Sequence, residues 1–310
     1  MVWLTAIAAV AVVTALAFWP GTGSMAQASG VQPVGNKPIF VLGSKNFAEE
    51  DILGNLYQQA LKAKGFLVEL TSSIGSTEAA YDALKDGDIQ GYPEYDGTLL
   101  STLAGISTNP PSATAAASET SAWLSKRGLM FTATTPFTDS NAIAVLKSFA
   151  RKHHLRTLAD LGKLGKSLIL GATPQFQTRT PDGLSGLRKD YGLNPTFHPV
   201  KSGSFYKLLD NGKLGAAEVF STDPQLQSGK YVVLQDPKGF FGFENVGLVL
   251  SKRAVQDEGT GFLKIVNRVS ALLTQKVIIQ LNADVELDQR SPVAVARTFL
   301  KDNHMLSGHS

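Results

Sequence analysis

Cysteine is absent from the 310 residues. Disulfides, thiolate catalysis and cysteine-based zinc sites are thereby excluded, and so is a lipid anchor on an N-terminal cysteine. Charge is sparse: Asp, Glu, Lys and Arg make up 18% of the chain, the formal net charge is +3, and no run of five Lys or Arg occurs. A nucleic-acid partner calls for a basic footprint that this chain lacks. The histidines are adjacent at His153 and His154 and scattered at His198, His304 and His309, without metal-ligand spacing. No nucleophile elbow is present. Gly165-Lys166-Ser167 resembles the end of a phosphate loop, but Asp160 stands where the first glycine belongs, so a turn before a strand is expected. Glu94 and Asp96 are a conceivable acid/base pair. Their place between a strand end and a helix start favours capping and turn roles. These absences argue against an enzyme, a resident metal and a cofactor.

Apolar residues are plentiful, at 43%, enough for a large core or for two lobes of ordinary domain size. Val2 to Trp19 carry no charge and are almost all apolar; Pro20-Gly21 follow, and Ala26-Gln27-Ala28 fits a small-x-small cleavage site. Residues 1–28 read as a signal peptide cut after Ala28. No Lys or Arg precedes the apolar run, so the other reading is an uncleaved N-terminal anchor close to the shortest span of roughly 17 residues that crosses a bilayer. Either way the rest of the chain lies outside the cytoplasmic membrane. Residues 29–37 read as a linker.

Strands and helices then alternate. Ile39 to Leu42 is a short apolar run; Ser44 or Asn46 is placed to cap a helix whose apolar stripe is Ile52, Leu53, Leu56, Tyr57, Ala60 and Leu61. Phe66 to Leu70, a helix from Gly75-Ser76-Thr77 to Gly87, and Ile89 to Tyr92 complete a βαβαβ opening that predicts a parallel sheet. A second α/β unit begins near Asn141 to Leu146, and the tail after Gly259 is mostly helical. Ligands of such sheets bind at the carboxyl ends of strands and at domain interfaces. Lys45 follows the first strand and Thr98 follows the third, each at a helix start, where an anion is favoured. Ordinary capping and a solvated lysine explain the same positions. Aromatic residues Tyr92, Tyr95, Phe220, Phe240, Phe241 and Phe243 stand at strand ends, a pattern that core packing also produces.

Four motifs carry a resemblance. Gly43-Ser44-Lys45-Asn46-Phe47-Ala48-Glu49 and Tyr92-Pro93-Glu94-Tyr95-Asp96-Gly97-Thr98 resemble the first two motifs of the osmoprotectant (glycine betaine, carnitine, choline) binding proteins of ABC importers. Gln177 to Leu184, containing Arg179, and Phe220-Ser221-Thr222-Asp223 resemble two more, and the likeness runs in order from about Lys37 to Leu300. The resemblance implies an α/β fold, the two-lobed type II periplasmic-binding-protein fold with a ligand cleft between the lobes. It divides the chain into lobe 1 (38–139), lobe 2 (140–246) and a return to lobe 1 with C-terminal helices (247–310). It further implies a small zwitterionic ligand, ABC permease and ATPase subunits as partners, no catalysis, and a monomer.

In that family a Lys, a Thr and an Arg hold the ligand carboxylate; they map onto Lys45, Thr98 and Arg179. An aromatic cage holds the quaternary ammonium. Tyr95 matches a cage tyrosine, and Asp139 matches an acidic position near the cation. Asn141, Phe220 and Phe243 stand where tyrosines are usual. Phenylalanine keeps a π face without the hydroxyl, and asparagine offers none. The carboxylate clamp is therefore complete in residue type and the cage is reduced. An amino acid or an aromatic compound is the alternative solute, and an enzyme or sensor on the same fold is the reading furthest from the motifs.

Overall fold

The computed structural model describes residues 39–306, except 107, 179–182 and 202–203. The leader or anchor expected at 1–28, the linker at 29–37 and Arg179 lie outside the described residues.

Among the described residues, ten strands form two sheets. They are β1 (Phe40–Gly43), β2 (Val68–Thr71), β3 (Gly91–Tyr95), β4 (Leu129–Phe131), β5 (Asn141–Leu146), β6 (Ile169–Ala172), β7 (Thr196–Pro199), β8 (Ala216–Phe220), β9 (Tyr231–Val233) and β10 (Val246–Ser251). The first sheet has the order β2-β1-β3-β10-β4 and the second β7-β6-β8-β5-β9. In each, four strands run the same way and the one fourth in this order runs against them. That fourth strand is the one that has just crossed from the other sheet: β5 enters the second sheet and β10 returns to the first. An antiparallel strand starts beside the carboxyl ends of its parallel neighbours. Both crossings therefore open onto the edge where α/β sheets present ligands.

Helices cover the sheets as the apolar periodicity requires. The helix Ala48–Lys62 buries its whole expected stripe, Ile52, Leu53, Leu56, Tyr57, Ala60 and Leu61, against the first sheet and the C-terminal helices Thr260–Leu272 and Pro292–Asp302. Its N-terminus differs from expectation. Phe47 is the capping position and supplies no side-chain bond, while Ser44 reaches Asp51 at 3.4 Å. Glu49, Glu50 and Asp51 in the first turn supply the negative charge that the helix dipole favours there. The helix Thr77–Asp86 follows the signals read for it: Ser76 accepts from the Ala79 N–H, and Gly87 closes it in the left-handed region at φ 85°. The third strand forms at Gly91–Tyr95, not at Ile89 to Tyr92, because its register is set by β10, which pairs Val246 with Tyr95 and Leu250 with Gly91. Gly165–Ser167 is a single 3-10 turn before β6, the turn expected there.

The crossings are tied to each other and to the first sheet. Thr138 and Asn245 form a β-bridge, and the Asp139 N–H donates to the Glu244 carbonyl at 3.0 Å. Asn245 donates from its amide to the Thr135 and Phe137 carbonyls at 3.0 and 2.8 Å. Its backbone N–H donates to Asp96 Oδ1 at 2.9 Å, and the Asp96 N–H donates back to its carbonyl at 3.1 Å. Gly97 lies against this knot. A Cβ there would stand 2.3 Å from the Phe243 carbonyl oxygen and 2.9 Å from the Glu244 carboxyl. Gly97→Ala is therefore expected to cost about 1–3 kcal/mol through overpacking. Urea unfolding measures this, and an unchanged midpoint would show that the crossing yields more easily than its geometry implies.

Candidate functional site

A cavity of about 470 Å³ lies where the crossings meet the strand ends. Lys45 and Asn46 reach it from the loop after β1, Gly75 to Thr77 from the loop after β2, and Tyr95 and Thr98 from the end of β3. Asp139 and Asn141 reach it from the first crossing, Glu244 from the second, and Phe220, Thr222 and Asp223 from the end of β8. Asn282 and Glu286 come from the helix Gln275–Glu286. Six residues singled out in the sequence thus share one cavity: Lys45, Tyr95, Thr98, Asp139, Asn141 and Phe220. Phe243 stands apart. It lines a neighbouring cavity with Thr138 and Ser140, while Glu244, the next residue, faces the cavity of Lys45. Extended backbone sends neighbours to opposite sides, so Asp139 and Glu244 look one way and Thr138, Ser140 and Phe243 the other.

Lys45 is not a solvated lysine. It is 4% exposed, and its ammonium pairs with Glu94 and lies 3.7 Å from Glu50. Burial works against its charge, but Glu94 and Glu50 outweigh that and hold its pKa above the ordinary value. The same ammonium lies 4.7 Å from the Tyr95 ring centroid and 5.7 Å from that of Phe47, within cation–π range. Glu94 also accepts the Tyr95 N–H at 2.9 Å. Glu94 is therefore a buried ion partner rather than a turn residue, and Asp96 is not a cap but a tie to the second crossing, accepting the Gly97 and Asn245 N–H groups.

Tyr95 is held by its hydroxyl, which donates to Glu49 at 2.7 Å. The other oxygen of Glu49 accepts from the Asn282 amide at 2.7 Å, and that amide also donates to the Thr222 carbonyl at 3.1 Å. Thr222 donates to Asp139 at 2.5 Å, and Tyr206 donates to Asp223 at 2.8 Å. The Thr98 N–H donates to Glu244 at 2.8 Å. Burial raises the pKa of Glu49, Asp139 and Asp223, and it pushes Glu244 and Glu50 up to about 8. Asn141, opposite Phe220 in the β5–β8 pairing, places a short amide where an aromatic face would be needed to stack on a cation, and Phe220 itself is 50% exposed.

Glu49, Thr222 and Asp223 belong to motifs already quoted from the sequence and passed without a role. Glu244 adjoins Phe243. Asn282 and Glu286 sit on a helix with no motif, and only the folded contact of that helix with the loop after β8 brings them in.

Residues 40–302 match the family model of the substrate-binding domain of ABC-type glycine betaine transport systems. The chain belongs to this family. A glycine-betaine-binding protein of Pseudomonas aeruginosa is 29% identical over 280 residues, covering 86% of this chain and 88% of that one. An ergothioneine transport permease/ergothioneine binding protein of Helicobacter pylori is also 29% identical, over 273 residues, and this chain spans 47% of its length. Among solved structures, a glycine betaine/carnitine/choline ABC transporter protein superposes with a TM-score of 0.81 at 25% identity, over 86% of this chain and 99% of that one. The α/β architecture with two mixed sheets is that of the two-lobed periplasmic binding proteins. Family members are transport binding proteins for small solutes that work with a membrane permease.

The raised carboxyl of Glu244 has a thermodynamic signature. The native state keeps this proton up to a pH of about 8, whereas an unfolded chain releases it near 4.5. Raising the pH between these values favours the unfolded state, by up to about 1.4 kcal/mol per unit for one such group. The melting temperature of the empty protein is expected to fall across this window, with a shallower slope in Glu244→Gln. Identical slopes from scanning calorimetry would show that Glu244 is ionised throughout.

Proposed function

We propose that this protein captures a small zwitterionic osmoprotectant such as glycine betaine outside the cytoplasmic membrane and delivers it to the permease of an ABC importer. The observation that carries this reading is the meeting of a buried ammonium, an aromatic face and a carboxylate, Lys45, Tyr95 and Asp139, in one cavity at the crossings between two sheets. Lys45 and Thr98, with Arg179, take the carboxylate of the ligand. Tyr95, Asp139, Asn141 and Phe220 surround its cation, and Phe243 supports the crossing from the far side. Lobe 1 comprises residues 38–139 with 247–310, and lobe 2 comprises 140–246. The protein is monomeric, does not turn its ligand over and requires no cofactor or metal.

Charge and shape both support this. The ammonium of Lys45 already rests on the Tyr95 ring, which marks that ring as a seat for an alkylated cation. A ligand carboxylate arriving beside Lys45 would compete with Glu94 and Glu50 for it. The gain comes from the hydrogen bonds of Lys45 and Thr98, about 1.5–3 kcal/mol for each bond to a charged group.

Calorimetric titration with glycine betaine, carnitine, choline and proline tests the reading, and silence with all four would sink it. Lys45→Ala is expected to weaken glycine betaine by about ten- to a hundred-fold, the equivalent of one charged hydrogen bond. Choline has no carboxylate and should change little. Equal losses for both ligands would remove Lys45 from the carboxylate clamp.

A further inference from the structure

The ligand cavity has a neighbour. A second cavity of about 420 Å³ adjoins it, and Asn141, Phe220, Asp223 and Glu286 line both. Asn141 and Phe220 are paired directly across β5 and β8, so together they form the border between the two spaces. Asparagine is too short to close that border. Phe220 is 50% exposed and shares one face of β8 with Glu218, which lines the second cavity and not the first. Half of an apolar ring is thus offered to whatever crosses from one cavity to the other.

The second cavity has fixed walls. Tyr206 is locked at both ends: its hydroxyl donates to Asp223 at 2.8 Å, and its ring meets that of Tyr231 edge-on at 4.8 Å. Phe205 beside it is 8% exposed. Glu218 is 5% exposed and accepts both the N–H and the hydroxyl of Thr173 at 3.0 Å. Glu218 and Asp223 are thereby occupied, and the rings of Phe205, Tyr206 and Phe220 supply the apolar surface. An apolar group entering this space leaves water for a preformed wall.

The position of the border decides which part of a ligand reaches it. On the reading above, the ammonium sits among Tyr95, Asp139, Asn141 and Phe220, and the carboxylate points away toward Lys45 and Thr98. The carbon that joins the two groups then lies beside Asn141 and Phe220. In glycine betaine this carbon bears only hydrogen, and the second cavity contributes nothing.

We infer that, granted the role proposed above, the cleft takes a betaine with an apolar arm on the carbon beside its trimethylammonium group, the arm running along Phe220 into the cavity walled by Phe205 and Tyr206. The N-trimethylated forms of apolar amino acids are the fitting class, and glycine betaine is its truncated member.

Titration calorimetry of the full chain with the N-trimethylated forms of glycine, alanine, leucine and phenylalanine keeps both charged ends constant and varies the arm. The leucine and phenylalanine forms are expected to bind at least about ten-fold tighter than glycine betaine, with the alanine form between. Asn141→Tyr, which sets a ring at the border, and Gln225→Trp, which fills the second cavity, are each expected to narrow that ratio to about two-fold. Gln225 lines the second cavity and not the first, so glycine betaine binding within about two-fold of the parent reports that this variant is folded. Larger forms that bind no tighter than glycine betaine overturn this inference and leave the proposed function standing. A ratio that survives Gln225→Trp overturns the assignment of the arm to this cavity, and one that survives Asn141→Tyr overturns the border. Silence with all four, and with choline and carnitine, overturns the proposed function and this inference together.

Discussion

A lysine ammonium taken out of water has to be compensated where it lies, and the burial of Lys45 organises this site. An isolated buried charge would cost several kcal/mol or shed its proton. Lys45 keeps its charge because Glu94 comes up from β3 and Glu50 from the first turn of the helix Ala48–Lys62. The loop after β1, the third strand and the first helix are thereby fastened to one atom. Tyr95 follows, because Glu94 also accepts its backbone N–H and its ring lies under the ammonium. Glu49, on the adjoining position of the same helix, fixes the Tyr95 hydroxyl.

The second organising constraint is direction. A chain that leaves one parallel sheet and enters another as an antiparallel strand must pass the ligand edge twice. Here the two passages are pinned by the reciprocal bonds of Asp96 and Asn245. Acidic residues at these passages, Asp139 and Glu244, become cavity walls as a result of topology. Their burial, rather than any neighbouring anion alone, raises their pKa, since desolvation is the largest cause for each.

Much of this was legible in the sequence where local rules and tertiary demands agree. The stripe Ile52 to Leu61 and the Ser76 to Gly87 helix needed only periodicity and capping chemistry. The loops after β1 and β3 were placed by the rule of strand ends. What stayed hidden is set by partners far along the chain. The β3 register depends on β10, more than 150 residues away in sequence. The pairing of Lys45 with Glu94 spans 49 positions, and Asn282 meets Glu49 across 233. The split between Phe243 and Glu244 turned on which residue of an extended pair faces inward, which the motif likeness did not specify.

The helix Gln275–Glu286 has a mechanical consequence. It belongs with the first sheet through its packing on the helices Ala48–Lys62 and Pro292–Asp302, yet it grips the loop after β8 at two points. Gln275 donates to the Ser221 carbonyl and accepts the Thr138 N–H, and about two turns further along the same face Asn282 holds the Thr222 carbonyl. The second sheet is thus suspended from the first by two strands and one rod rather than by strands alone. A body held on two cords can twist, slide and swing. A bar pinned along its edge at two points opposes twisting and sliding that two cords alone would permit. Thr222, held by that bar through Asn282, donates to Asp139, so the brace and the wall of the cavity share the same few atoms.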